Sequence, residues 1–147
     1  MAATTLHGPD GVRDALGRHL GYSDWLTITQ VHIDRFAEAT SLDGRSDAGA
    51  GTGAAATIPN FFVLSLSNLF LPQIVEVQGF AMGVNYGTGS IRFPAPAATG
   101  SRIRGGAELI EVTPVPGGLQ TTIRITIEIE DGDEPAAVIA SLSRWLD

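Results

Sequence analysis

Between residues 119 and 130 apolar and polar positions alternate, with Ile123, Ile125, Ile127 and Ile129 set against Arg124, Thr126, Glu128 and Glu130. A period of two sends successive side chains to opposite faces, so the stretch predicts a half-buried β-strand with one wet face. The preceding stretch alternates in the same way through Ile103, Gly105, Ala107 and Leu109, and the joining residues Thr113 to Gly118 have the Pro and Gly content of a turn. The two segments predict a long antiparallel hairpin. A second turn at Asp131-Gly132-Asp133 leads into residues 135–146, a further strand whose alternation is blurred by small side chains. Upstream, residues 77–87 and 90–96 flank Thr88, where Gly87 and Gly89 supply the backbone freedom for a tight reversal and predict another hairpin.

Helical spacing is rarer. Thr29 is placed to cap a helix whose inward stripe is Ile33, Phe36 and Ala37, with Asp34, Arg35 and Glu38 facing water. Pro59 suits the first turn of a second helix, residues 60–70, which is apolar nearly all round and so has to be buried. Val12, Leu16 and Leu20 recur every fourth residue and predict a weaker helix over residues 9–20. One buried helix and about five antiparallel strands describe an α+β fold in which a curved sheet wraps the helix.

Composition narrows the function classes. At 147 residues, with 44% hydrophobic and 17% charged, the chain fits a single domain whose core folds without staples. The absence of cysteine excludes disulfides, thiolate metal sites and cysteine nucleophiles, and it fits the cytoplasm. A formal charge of -7 with nine scattered Lys and Arg argues against nucleic acid and anionic membranes as partners. The first residues lack the basic start and apolar stretch of a signal peptide, and residues 58–71 are interrupted by Asn60, Ser65, Ser67 and Asn68, so a soluble cytoplasmic protein is expected.

The chemistry is expected in residues 41–57, a Gly/Ala-rich loop that carries Asp43, Arg45, Ser46 and Asp47 and leads directly into the apolar helix. Loops set on a rigid scaffold commonly carry function. This one has acids and a cation but no histidine. His7, His19 and His32 are the three imidazoles of the chain, and their scatter makes no metal site, so neither a metal nor a cofactor is expected.

Residues 27–40, 61–70, 85–112 and 135–146 resemble the MaoC-like dehydratases, close to the (R)-specific enoyl-CoA hydratases, most specifically in Asn85-Tyr86-Gly87, Arg92-Phe93-Pro94 and Gly100-Ser101-Arg102. The resemblance implies a single hot-dog domain over residues 1–147, with residues 1–22 as an N-terminal extension and a long central helix inside a curved antiparallel sheet. It also implies a homodimer and an acyl thioester of coenzyme A or a carrier protein as substrate. Hydration in that family uses an Asp followed five residues later by a His, the base that activates water and the acid that protonates carbon. In this chain Ala39-Thr40 is followed by Ser41-Leu42-Asp43, and the histidine position falls on Asp47 or Ala48. At the head of the central helix, where the family has Ala-His-Gly-Phe, the chain reads Ile58-Pro59-Asn60-Phe61.

Candidate catalytic residues are therefore Asp43, Asp47 and Asn60, the last as an amide that hydrogen-bonds a ligand carbonyl. Arg45, Phe61, Phe62 and Tyr86 are candidates for substrate binding, the aromatics doubling as core and strand-pairing residues. The expected function is a hot-dog enzyme of altered chemistry that promotes cyclisation, isomerisation or elimination on an apolar acyl or polyketide-type intermediate. The alternatives are a conventional enoyl-thioester hydratase using Asp43 or Asp47, and a non-catalytic ligand-binding or partner-stabilising homologue.

Overall fold

The computed structural model describes residues 2–40 and 56–147. In chain order the elements are β1 (Thr4–His7), α1 (Gly8–Asp14), β2 (His19–Tyr22), β3 (Leu26–Thr27), α2 (Gln30–Thr40), α3 (Asn60–Ser65), α4 (Ser67–Ile74), β4 (Val75–Gln78), β5 (Met82–Arg92), β6 (Arg102–Val115), β7 (Gly118–Ile129) and β8 (Ala137–Leu146). The main sheet runs β2-β6-β7-β8-β5 with β3 beside β6, and every pairing in it is antiparallel.

The alternating stripes fall where the period places them. Ile103, Ala107, Leu109, Ile123, Ile125 and Ile127 are all buried on the face turned toward α4, and at about 1.5–3 kcal/mol for each large aliphatic side chain this stripe dominates the core. On the opposite face Arg102–Glu130, Arg104–Glu128 and Arg124–Glu108 form cross-strand ion pairs. The β6–β7 hairpin is tighter than its composition suggests, since pairing runs to Val115 opposite Gly118 and leaves only Pro116 and Gly117 in the turn. Gly117 sits at φ 83°, a conformation costly for any residue with a Cβ.

In α2 the Thr29 hydroxyl accepts from the His32 N–H at 3.4 Å while His32 Nδ1 accepts from the Thr29 N–H at 3.1 Å. This reciprocal pair satisfies donors that a helix start leaves open. Ile33 is buried beneath it.

Three expectations are corrected. The helix over residues 9–20 stops at Asp14; Leu16 is half exposed and Leu20 is buried as part of β2. Within the N-terminal extension of residues 1–22, β2 joins the sheet and β1 pairs in parallel with β4, Leu6 opposite Val77. Thr88 is not a reversal: residues 82–92 form one strand along β8, and the glycines coincide with register shifts after Asn85 and after Thr88. Glycine in a strand interior marks such bulges as readily as turns. The central helix is divided at Leu66, where Ser65 Oγ and Ser67 Oγ donate to the Phe62 and Leu64 carbonyls, local bonds that compete with the helical ladder. It is also not buried all round, for Val63, Leu66, Phe70 and Ile74 face the sheet while Phe61 and Leu69 are exposed.

Candidate functional site

The start of α3 is held by the strand-like segment before it. Thr57 bridges Ala98, the Ile58 N–H donates to the Ala97 carbonyl at 2.7 Å, and the Thr99 N–H donates to the Ala56 carbonyl at 2.8 Å. Pro59 then takes the N-cap position at φ -56°, ψ 134°, and its carbonyl accepts from the Val63 N–H at 3.1 Å. Pro59 brings no N–H. The Asn60 and Phe61 N–H groups and the Asn60 carboxamide have no hydrogen-bond partner among the described residues. Asn60 is exposed and lies one residue inside the helix, so its side chain is not spent on capping. Beside this segment the Thr99 hydroxyl is buried with no hydrogen-bond partner among the described residues. An orphaned buried hydroxyl is uncommon enough to mark the neighbourhood.

The aromatic candidates separate. Phe62 packs on Phe36 of α2 with ring centroids 5.3 Å apart, whereas Phe61 is 70% exposed and meets Phe93 edge-on at 6.5 Å. The Phe36–Phe62 contact packs α2 against the head of α3. Asp43, Arg45 and Asp47 lie outside the described residues. Tyr86 belongs to the other face of the sheet: Arg144 stacks over its ring at 3.8 Å and also donates to Gln120 Oε1, away from the buried stripe of β7. The sheet thus divides Tyr86 from the helix face.

The structure also reveals a cavity of about 150 Å³ between α4 and the strands β5, β7 and β8. Its floor is Ile125 and Ile139, and around it stand Ser67, Asn68, Asn85, Thr88, Ser141 and Ser143. None of these polar residues was marked as a site from the sequence. The available signal was in β8, where the inward positions run Ile139, Ser141, Ser143 and so replace a hydrophobic stripe with hydroxyls.

The histidines serve elsewhere. His32 caps α2, His19 Nδ1 accepts from the Gly21 N–H while its ring packs on Tyr22, and His7 ends β1. Among the described residues no group of three His, Asp or Glu side chains converges, and no helix is long and apolar enough to cross a membrane.

No protein-family profile matches the chain. A MaoC-like dehydratase from Rhodospirillum rubrum superposes with a TM-score of 0.66 at 14% identity, covering 90% of this chain and 92% of its own. The truncated HadBC (3R-hydroxyacyl-ACP dehydratase) complex from Mycobacterium tuberculosis superposes with a TM-score of 0.64 at 18% identity, over 88% of this chain and 97% of the other. In sequence, 3-hydroxyacyl-thioester dehydratase Z of Mycobacterium tuberculosis is 35% identical over 139 residues, 90% of this chain and 91% of the relative. The chain belongs to the MaoC-like dehydratases.

As a member of the MaoC-like dehydratases the chain has the hot-dog architecture, a helix held in a curved antiparallel sheet. Residues 97–99, which join the Arg92-Phe93-Pro94 and Gly100-Ser101-Arg102 segments, pin residues 56–58 before the helix head.

Proposed function

We propose that this MaoC-like protein binds an acyl thioester at the head of α3 and promotes an elimination, isomerisation or cyclisation without the family's histidine-dependent hydration step. What supports this reading is the helix head itself: Pro59 falls where the resemblance implies a histidine, the adjacent Asn60 carboxamide and the Asn60 and Phe61 N–H groups are without partners among the described residues, and the chain's three histidines lie in or beside β1, β2 and α2. A preorganised amide aimed at a carbonyl stabilises charge that develops on oxygen. An internal nucleophile removes the need to recruit water, but the proton shed from carbon or from the attacking hydroxyl still has to go to a base, a role we assign to the carboxylate of Asp43 or Asp47. Asp43 and Asp47 supply the acids of the adjoining segment, and Arg45 a cation for an anionic carrier. The dehydratase relative at 35% identity supports a thioester as the substrate class.

The assembly proposed is a homodimer of side-by-side hot-dog units. Strand β5 is an edge of the sheet over 11 residues and exposes Met82, Val84 and Tyr86, an edge of the kind that pairs with another chain. The HadBC neighbour is itself a complex.

The deciding experiment compares two reactions of the purified protein. Crotonyl-CoA hydration is expected at the buffer rate, while 3-hydroxyacyl thioesters carrying a second internal hydroxyl are expected to yield a new product by mass spectrometry and chromatography. Crotonyl-CoA hydration that is fast and lost in Asp43→Asn would replace this reading with the conventional hydratase.

A further inference from the structure

We infer that the cavity between α4 and β5, β7 and β8 is a specificity pocket for the distal part of the bound chain, and that it selects a segment bearing neutral oxygen functions, hydroxyl or keto, over a plain alkyl chain. The inference rests on the thioester reading for what the chain is attached to, but its physical basis is separate. Thr88 lies opposite Ser141 and Asn85 opposite Ser143 in the β5–β8 ladder. Directly paired residues share a face and lie within contact distance of a common ligand. These two cross-strand pairs extend the inner face of the sheet at the point where its isoleucine stripe ends.

Ser67 spends its hydroxyl proton on the Leu64 carbonyl. Asn68, Asn85, Thr88, Ser141 and Ser143 have no side-chain hydrogen bond among the described residues. Two carboxamides and three hydroxyls offer both donors and acceptors. Asn68, Asn85 and Thr88 are exposed and Ser141 and Ser143 half-buried, so they are hydrated when the pocket is empty. An alkyl chain laid over them displaces part of that water without replacing its hydrogen bonds, a loss toward the low end of about 1–3 kcal/mol per group covered. A carboxylate or phosphate would meet no cation, since none of the lining residues is charged. Ile125 and Ile139, with Leu71 and Pro72 of α4, supply the apolar lining for the carbon skeleton. A volume of about 150 Å³ holds several water-sized groups, the size of a chain terminus. Ser67 follows Asn60 by seven residues, about 10 Å along the helix axis at 1.5 Å per residue, which places the pocket well beyond a carbonyl held at the helix head.

The test uses the full chain with methyl-labelled isoleucine, reading the Ile125 and Ile139 signals by NMR and affinity by calorimetry. The probes are decanoyl-CoA and its analogue hydroxylated at the far end of the chain, together with octane-diol and octanol as free chains. The hydroxylated thioester is expected to bind about tenfold tighter than the alkyl one, a difference of about 1.4 kcal/mol, and to shift both methyl signals. Asn85→Leu with Ser143→Ala should abolish the preference while leaving the alkyl thioester bound. If neither thioester binds but octane-diol shifts the two methyls and the double variant removes that shift, the pocket stands and the thioester reading falls. Equal affinity of the two thioesters, or binding of the hydroxylated one without movement of Ile125 and Ile139, overturns the pocket. Silence of those methyls toward all four probes overturns it too, as does a second copy's side chain filling the cavity in the dimer.

Discussion

Phe70 of α4 lies directly against the Gly105 backbone of β6: a Cβ built on Gly105 would come within 2.8 Å of the Phe70 Cβ. Both residues are buried, and the helix packs closely on the sheet here. The glycine is required by space, since its φ is not in the left-handed region. Gly105→Ala is expected to push α4 off the sheet and destabilise the protein by about 1–3 kcal/mol, measured by denaturant unfolding; a neutral effect would mean that the helix moves freely on the sheet.

Phe62 ties α2 to α3 through Phe36. Phe62→Ala removes a half-buried ring and its aromatic partner, so a loss of about 2 kcal/mol is expected. Because Phe62 lies two residues from Asn60 at the head of α3, turnover should fall more steeply than stability alone requires if the helix head holds the substrate, and Phe62→Leu should recover stability before it recovers rate. Thermal unfolding and steady-state kinetics on the same preparations separate the two.

Asn60→Ala removes an exposed carboxamide without a structural bond. On the proposed mechanism it lowers turnover about 100-fold, the scale for losing one carbonyl-directed donor, with an unchanged melting temperature. A rate within a factor of two of the parent would show that Asn60 does not touch the reacting carbonyl.

The β5 edge gives a prediction about assembly. Val84→Lys places a charge on a strand whose outer edge is free among the described residues, and edge lysines oppose strand pairing. Light scattering is expected to show a dimer for the parent chain and a monomer for the variant. A parent chain that is already monomeric would refute the dimer.

The ion pairs on the outer face should matter little. Glu128→Gln removes the charge from the 2.8 Å contact with Arg104 while keeping an acceptor oxygen, and Arg104 is also stacked between Tyr22 and Trp25 at 3.9 and 4.6 Å and stays in place. An effect below about 1 kcal/mol is expected for so exposed a pair, and it should vanish at high salt.

Sequence alone determined what local periodicity can encode. The isoleucines of β7 could face only one way once the strand formed, Thr29 could cap only the helix that follows it, and the Asn-Tyr-Gly and Arg-Phe-Pro series announced the hot-dog scaffold. Tertiary structure decided what depends on neighbours distant in sequence. Gly87 and Gly89 are equally suited to a turn or a bulge, and it was the 10-residue β8 lying alongside that kept β5 straight. Leu20 fits a helical stripe, yet pairing with β6 made it part of a strand. Ser141 and Ser143 look like an imperfect strand until Asn85 and Thr88 are set opposite them across the sheet. A polar pocket exists only where the ladder register brings side chains from three elements together, and register is a global property that no single segment specifies.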